Sequence, residues 1–364
     1  MSYAKGNHKR STAEKAFLVF YLPTVLIGYM VYKCHELAVD FGWVLDVRSF
    51  YFLEKHPSFW YGSAYTALVC FIAAKVVLQS KSPYKRGKKT VLSGYQKAKF
   101  TSIFFVQLVV FFLVPFVLTP LLAGQGLLFD QTKPTTLDAY VYVSKAFTSW
   151  GGMIYVFVAV PFSVWLFGKR YCSWFCSCGN LAETIGVTTW GKNWVKYKTP
   201  TGPTAKKAES LQTVLLVIGL AYGFLIFFDA LKIFTADTLL SAFKLYQDIV
   251  LDLMFGALVG VGAYPFFGTR VWCRYGCPLA KGMELVGRLG GSKFKVQANE
   301  SCTGIDMCSQ TCPMGINVAS FAHKDKTPIS GSFGLSETLC IGCGGCVDIC
   351  PKDALSFVPL RGVR

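Results

Sequence analysis

The chain has 364 residues, of which 53% are hydrophobic and only 16% are charged, and a net charge of +17. This composition is too apolar for a single soluble globule and favours several membrane spans with a small polar domain. The basic residues lie mostly at the ends of apolar stretches, where they anchor helices and attract anionic lipid. A nucleic-acid-binding function is therefore disfavoured.

Six apolar stretches are each close to the roughly 20 residues that a helix needs to cross the hydrocarbon layer. They lie near residues 16–33, 58–79, 100–124, 147–167, 211–234 and 249–268. No cleavage site of small residues follows the first stretch, so we expect it to stay attached. The sequence predicts an integral membrane α-helical protein with about six transmembrane helices.

Charges in the connections predict the orientation of these helices. Residues 80–99 include seven basic residues and no acidic one, whereas the connections at 33–56, 125–146 and 229–252 lean acidic. Basic loops stay on the cytoplasmic side. We therefore expect a multi-pass protein of the inner, cytoplasmic membrane with both termini and all the clusters on the cytoplasmic side. Reducing conditions there keep thiols available for metal.

An internal repeat follows the fourth and sixth stretches. The first copy, GKRYCSWFCSC at residues 168–178, and the second, GTRVWCRYGCP at residues 268–278, each contain a C-x3-C motif. A three-residue gap brings two thiols close together on a helical turn or tight bend, so two pairs supply enough sulfur for one iron-sulfur cluster. The ligands of this membrane-face cluster would be Cys172, Cys176, Cys273 and Cys277.

Other residues of the repeat bear on the same site. Cys178 is a spare thiol that could replace Cys176 as a metal ligand. Three arginines would offset the negative charge of a thiolate-ligated cluster, and they are Arg170, Arg270 and Arg274. The alternative interpretation is that the repeated cysteines are merely small buried residues.

The C-terminal part contains two ferredoxin motifs, C-x5-C-x3-C-P at residues 302–313 and C-x2-C-x2-C-x3-C-P at residues 340–351. In two-cluster ferredoxins the last cysteine of each run binds the cluster of the other run. A 4Fe-4S cluster would therefore be held by Cys340, Cys343, Cys346 and Cys312. A second cluster would be held by Cys302, Cys308 and Cys350. A zinc site or a disulfide pair is the alternative for these cysteines.

The upstream run is one ligand short, because Ile305 occupies the slot of its second cysteine. An isoleucine cannot bind iron. Three interpretations stay open: a 3Fe-4S cluster, a 4Fe-4S cluster with an outside ligand such as the neighbouring Asp306, or a site that has lost its metal.

From about residue 95 to residue 357, this layout resembles the polytopic ferredoxin-type membrane proteins of the NapH, NosR and CcoG kind. Three departures are visible. Ile305 replaces a cluster cysteine, Ser177 stands where a proline would follow the first C-x3-C motif, and no periplasmic flavin domain is found. The third departure favours the shorter NapH-like plan, without a covalent flavin.

The resemblance implies that the chain passes electrons from the quinol pool towards a partner oxidoreductase or electron carrier. We expect an electron-transfer component, with a quinol dehydrogenase subunit as the enzymatic version of this role. The alternatives are an assembly factor that helps to mature a copper-containing respiratory enzyme, and a redox sensor. We expect no haem, because none of the four histidines lies inside a predicted span.

The sequence thus predicts two domains. Residues 1–290 would form the polytopic membrane domain, with a C-x3-C motif at the cytoplasmic end of two helix hairpins. Residues 291–364 would form an α+β domain that resembles a two-cluster ferredoxin.

Overall fold

The computed structural model describes residues 11–32, 52, 53, 55, 57–84, 91–118, 153–194, 203–233, 237–324 and 327–358. The N-terminal helices are α1 (Thr12–Tyr32), α2 (Pro57–Gln79) and α3 (Gly94–Phe105, continued as a π-helix over Val106–Leu118). A π-helical turn (Tyr155–Ala159) leads into α4 (Val160–Phe167), a 3-10 turn (Gly168–Arg170), α5 (Tyr171–Trp174), α6 (Ser177–Val187) and α7 (Thr189–Trp194).

The second half of the membrane part continues with longer helices. These are α8 (Pro203–Ala230), α9 (Asp237–Tyr246, continued as a π-helix over Gln247–Gly262), α10 (Tyr264–Phe267), α11 (Val271–Tyr275) and α12 (Pro278–Gly290). The C-terminal part has β1 (Lys295–Ala298), α13 (Met307–Thr311), a 3-10 turn (Val318–Phe321), β2 (His323–Lys324), β3 (Thr327–Pro328), β4 (Ser332–Gly334), α14 (Gly345–Ile349) and β5 (Leu355–Phe357).

Four helices in the described ranges are long and apolar enough to cross a membrane. They cover Thr12–Met30, Phe59–Gln79, Gly94–Leu118 and Lys207–Asp229, and correspond to the first, second, third and fifth predicted spans. The fourth and sixth predicted spans are helical over Tyr155–Phe167 and Gln247–Gly262. The acidic connections at 33–56 and 125–146 fall almost wholly outside the described residues. The number of spans and their orientation stay predictions.

The long helices carry apolar side chains on their outer surface. Phe71 and Leu78 of α2 and Val217 of α8 are 67%, 82% and 59% exposed. A helix that is hydrophobic on all sides needs apolar surroundings on all sides. Lipid supplies them, so these helices agree with an integral membrane protein.

The C-terminal part is an α+β unit built on a small antiparallel sheet of order β4-β1-β5. Val296 of β1 faces Phe333 of β4 and Phe357 of β5 in the register. The buried positions of β1 are Val296 and Ala298, which alternate along the strand as expected for a sheet with one covered face. This pairing brings the segments before Cys302 and after Cys350 to the same end of the sheet.

The hydrophobic core runs without a break from the membrane part into the ferredoxin part. One cluster of buried residues includes Val160 and Val164 of α4, Leu279 of α12, and Phe294 and Phe333 beside the sheet. Because apolar contacts are continuous across this boundary, the ferredoxin part lies directly on the short helices that follow α4 and α10.

Candidate metal centres

Both copies of the C-x3-C repeat adopt the same local structure. A glycine with positive φ, 62° at Gly168 and 87° at Gly268, ends the preceding helix, because glycine enters this conformation without strain. A short helix then holds the first cysteine. The second cysteine, Cys176 or Cys277, is the N-cap of the helix that follows, and its amide donates to a carbonyl of the short helix at 2.9 Å. The partial positive charge of a helix N-terminus favours a thiolate there.

The structure brings the four repeated thiols together, and all four are buried. The pKa of Cys277 is raised well above its ordinary value, first by burial and then by its neighbours Cys172, Cys176 and Cys273. Burial raises the pKa of Cys172 to about 12, which Lys169 opposes and Cys273 and Cys176 increase. Four buried thiols that affect one another in this way form one candidate site, which we call the membrane-face site.

An unpartnered charge beside the membrane-face site shows that the residues present fit an anionic group. The Lys169 ammonium is buried, acts on Cys172, and has no hydrogen-bond partner among the described residues. A buried charge without a partner is costly. A cluster held by four thiolates is negative and would supply the missing counter-charge.

The basic residues of the repeat have different positions from those expected. Arg270 contacts this site, through the Cys172 carbonyl at 2.7 Å and the Cys273 sulfur at 3.5 Å. Arg170 lies 4.2 Å above the Phe294 ring instead, close to the ferredoxin part. Arg274 pairs with Glu209, at 2.6 Å from its Nη2. The three arginines therefore have different partners, because the two copies of the repeat pack against different parts of the chain.

Cys178 is half-buried, whereas Cys176 is buried. Cys178 is on the first turn of α6, close enough to Tyr65 and Tyr264 to interact with them electrostatically. Cys176 is the thiol of this copy that acts on both Cys172 and Cys277. The geometry therefore favours Cys176 over Cys178 as the fourth ligand.

The complete ferredoxin motif forms a second site of four buried thiols, which we call the proximal site. A cavity is lined by Cys312, Cys340, Cys343 and Cys346, with Met314 and Ile341 among its apolar neighbours. Burial raises the pKa of Cys340 and of Cys343 to about 12, so both are neutral thiols when no metal holds them as thiolates. The Gly342 amide donates to the Cys340 sulfur at 3.4 Å. These residues fit a 4Fe-4S cluster with cross-ligation by Cys312.

The upstream run keeps the backbone of a cluster loop despite Ile305. Gly304 and Asp306 have φ of 70° and 61°, which match 63° at Gly342 and 75° at Gly344 in the complete motif. Ile305 is 54% exposed. The three thiols at this upstream site, Cys302, Cys308 and Cys350, are each partly exposed. The loop geometry is compatible with a cluster, and the side chain in the slot of the missing cysteine is exposed to solvent.

In the described chain, no three Cys, His, Asp or Glu side chains lie close enough to share a single metal ion. A cubane cluster takes its four thiolates at separate corners, so it needs a wider spacing than one ion does. Thirteen cysteines lie in the described ranges, and no disulfide joins them.

The proximal site rests on α3 through backbone carbonyls of its own loop. Lys99 and Gln96 both donate to the Cys343 carbonyl, at 2.9 Å and 3.0 Å. The Tyr95 hydroxyl donates to the Gly342 carbonyl. Because these donors come from the first turns of a candidate membrane helix, the complete cluster loop lies against the membrane part.

Both copies of the C-x3-C repeat also contact the proximal site. The Ser173 hydroxyl, beside Cys172, donates to the Ile341 carbonyl at 2.7 Å. Arg274, beside Cys273, donates from Nη1 to the Met314 carbonyl at 3.1 Å. The membrane-face site and the proximal site are therefore in direct contact through residues one or two positions from their cysteines.

A buried carboxylate lies between the two sites. Glu183 of α6 is 4% exposed and forms an ion pair with Lys99 at 2.8 Å and another with Arg270. Burial alone would raise the pKa of Glu183, but the two cations lower it below its ordinary value. No sequence pattern indicated that Lys99, Glu183 and Lys169 belong to the site. Lys99 is one of seven basic residues in segment 80–99, Lys169 lies in the repeat without being a metal ligand, and Glu183 has no spacing pattern with either. The physical reason to examine such residues is that burying a charge without a partner is costly, so a charge within a buried segment needs an opposite charge nearby.

Comparison with protein families supports iron-sulfur binding in both regions. The model of a 4Fe-4S dicluster domain matches residues 300–355, which include both ferredoxin motifs. The model of a 4Fe-4S binding domain matches twice, over residues 149–198 and 250–297, and each match contains one C-x3-C motif. No solved structure matches the chain.

Several known proteins are similar to the chain. An uncharacterized protein of Methanocaldococcus jannaschii is 25% identical over 57% of this chain and 79% of its own length. YccM of Escherichia coli is 27% identical over 53% of this chain and 52% of its own length. The ferredoxin-type protein NapH of Escherichia coli is 24% identical over 53% and 63%. The matched region thus spans less than two thirds of YccM and NapH. Together with the family models, these relatives confirm the resemblance drawn from the sequence: the chain is similar to NapH-like membrane proteins of the ferredoxin type.

Proposed function

We propose that the chain relays electrons between the quinol pool and a partner oxidoreductase or electron carrier through three iron-sulfur sites. The observation that supports this most strongly is the convergence of four buried cysteines at the end of the membrane helices, directly against the complete ferredoxin motif. A relay needs such contact, because each one-electron carrier must lie close to the next. When bound, each cluster would accept and donate one electron at a time.

The burial of the thiols supports an order along this relay. The membrane-face site is buried beside the membrane helices, the proximal site is buried against it, and the upstream site is partly exposed. A quinol would give up two electrons, one at a time, at the membrane-face site and release two protons to water. Cys312, Cys340, Cys343 and Cys346 would hold the next electron carrier, and the partly exposed Cys302, Cys308 and Cys350 would hold the carrier that a soluble partner can approach.

The protein's own residues would hold this arrangement in place. Gln212 donates to the carbonyls of Cys273 and Cys277, at 3.1 Å and 2.8 Å, and so fixes the second C-x3-C loop against α8. Lys169 and Arg270 would supply positive charge at the thiolates. The cytoplasmic location of the sites, the division near residue 290 and the identity of the partner remain parts of the proposal.

The proposal is tested by asking whether a quinol can reduce the ferredoxin sites without the membrane-face thiols. In liposomes, Cys172→Ser and Cys273→Ser should each abolish reduction of the proximal site by a quinol analogue, while dithionite from the water still reduces it. The double variant should be no worse than either single one, because residues that act as one unit are not additive. Cys70→Ser is the matched control, since Cys70 is a buried thiol of α2 whose sulfur donates to the Phe104 carbonyl and has no described hydrogen bond to either C-x3-C motif.

Two results would contradict the relay. Normal quinol-driven reduction in both single variants would show that the membrane-face thiols are not on the electron path. Copper bound by these four thiols in the purified protein would instead favour the assembly-factor function, because soft thiolate ligands also select Cu(I).

A further inference from the structure

The membrane-face site and the proximal site are connected by an unbroken chain of buried charges. Arg270 contacts the Cys172 carbonyl and the Cys273 sulfur, and pairs with Glu183. Glu183 pairs with Lys99, whose ammonium donates to the Cys343 carbonyl. Each cation thus has one side on a cluster loop and the other on the same carboxylate.

This chain is almost completely removed from water. Lys99 and Arg270 are both 0% exposed, and Glu183 is 4% exposed. Charges in such a place are weakly screened, by either water or salt. A change of charge at one cysteine loop is therefore felt by the cation beside it and by the carboxylate that both cations share.

The chain of buried charges is more than is needed to hold the membrane-face site and the proximal site together. Ser173, Tyr95 and Gln96 already make neutral hydrogen bonds across the same boundary. Three buried charged groups cost more to desolvate than the neutral groups that form these three hydrogen bonds. A buried ion pair is by itself weak evidence for a stabilising role. The cost points to an electrostatic role.

We propose that Glu183 is a shared counter-ion that sets the reduction potentials of the membrane-face and proximal sites together, through Arg270 and Lys99. This inference rests on the proposed function, because it requires a cluster at both sites. One-electron reduction adds one negative charge at a site, and the nearby cation stabilises that charge. Glu183 neutralises part of each cation, so it keeps both potentials lower than the cations alone would.

The test is a redox titration of the purified protein in detergent, followed by electron paramagnetic resonance, with dithionite as reductant and mediator dyes. Cys343→Ser and Cys273→Ser assign each signal to its site. Glu183→Gln keeps the shape of the side chain and removes its charge. We expect both midpoint potentials to rise by at least about 59 mV, which corresponds to a tenfold change in the reduction equilibrium of a one-electron couple.

A matched control is available in α12. Glu284 is 2% exposed and pairs with Lys281 at 3.0 Å and with Arg288 at 2.9 Å, but neither cation has a described hydrogen bond to a cysteine loop. Glu284→Gln should shift neither potential. If Glu284→Gln shifts them as much as Glu183→Gln does, the effect is a general response to lost charge and the inference is wrong.

A double variant covers the risk that two uncompensated cations prevent folding. Lys99→Gln combined with Glu183→Gln removes one charge of each sign, so the net buried charge equals that of the wild type. Arg270 then lacks its carboxylate partner beside the membrane-face site. We expect only the membrane-face potential to stay raised, while the proximal potential returns towards its wild-type value.

The failure of the inference can be separated from the failure of the proposed function. If the wild type lacks a membrane-face signal, both are overturned. If both signals are present and neither moves in Glu183→Gln or in the double variant, the relay stands and the shared counter-ion does not. A shift confined to one site in Glu183→Gln also refutes sharing.

Discussion

Gly342 tests whether the complete cluster loop is firmly held against the membrane part. Its φ is 63°, and a Cβ placed there would lie 2.7 Å from Cγ of Arg170 and 3.3 Å from the ring of Phe294. In Gly342→Ala, the left-handed backbone costs about 1–2 kcal/mol. Overpacking against buried neighbours costs about 1–3 kcal/mol more. The total of about 2–5 kcal/mol corresponds to a factor of roughly 30 or more in a local opening equilibrium.

Amide hydrogen exchange of the loop measures this effect directly. We expect the protection of residues 340–346 in the purified protein to fall at least tenfold in Gly342→Ala, because the loop must leave Arg170 or displace it. Gly304→Ala is the informative comparison. Its φ is 70°, but its neighbour is His323 of the ferredoxin part itself. This variant should loosen the upstream run and leave residues 340–346 protected.

Gly290→Ala is the neutral control, since no atom lies within 4 Å of the added methyl group and the φ of Gly290 is not positive. Its exchange pattern should equal that of the wild type. Unchanged protection in Gly342→Ala would refute the reasoning, because it would mean that the loop does not pack against Arg170 and Phe294 in solution.

Three further predictions concern the thiols and the charge beside them. If the upstream site holds a 3Fe-4S cluster, its oxidised electron paramagnetic resonance signal should disappear in Ile305→Cys, and a 4Fe-4S signal should appear after reduction with dithionite. A persistent 3Fe-4S signal in Ile305→Cys would show that residue 305 does not supply the missing ligand, and an ordinary 4Fe-4S signal in the wild type would mean that another ligand fills this corner. Lys169→Met should lower the midpoint potential of the membrane-face site, because it removes a buried positive charge; an unchanged potential in titration would place the ammonium elsewhere. In the metal-free chain, iodoacetamide should label the partly exposed Cys302 long before the buried Cys340, whose raised pKa of about 12 keeps it neutral at pH 8. Labelling of Cys340 should rise with pH up to about 12, and equal rates for the two cysteines at pH 8, read by mass spectrometry, would contradict its burial.

Residues that act through regular spacing could be recognised from the sequence. The membrane character followed from apolar stretches, because crossing the hydrocarbon layer demands about 20 consecutive apolar residues. The run Cys340, Cys343, Cys346 indicated a 4Fe-4S site, because thiolates at separate corners of a cubane demand this spacing. The internal repeat predicted the second C-x3-C motif from the first. The resemblance to ferredoxin-type membrane proteins rested on these patterns and is confirmed.

Only the tertiary structure decided which residues from distant segments meet. Arg170, Arg270 and Arg274 had the same expected role, yet Arg270 contacts a membrane-face thiol, Arg170 lies over Phe294 and Arg274 pairs with Glu209. Lys99 and Glu183 are 84 residues apart in the chain, and no local pattern links them. Their pairing depends on how α3 and α6 pack, because a buried charge is tolerated only where the fold supplies an opposite charge at hydrogen-bond distance. Local spacing in the sequence therefore predicts the ligands of the cofactors, whereas packing determines the charges that surround those residues.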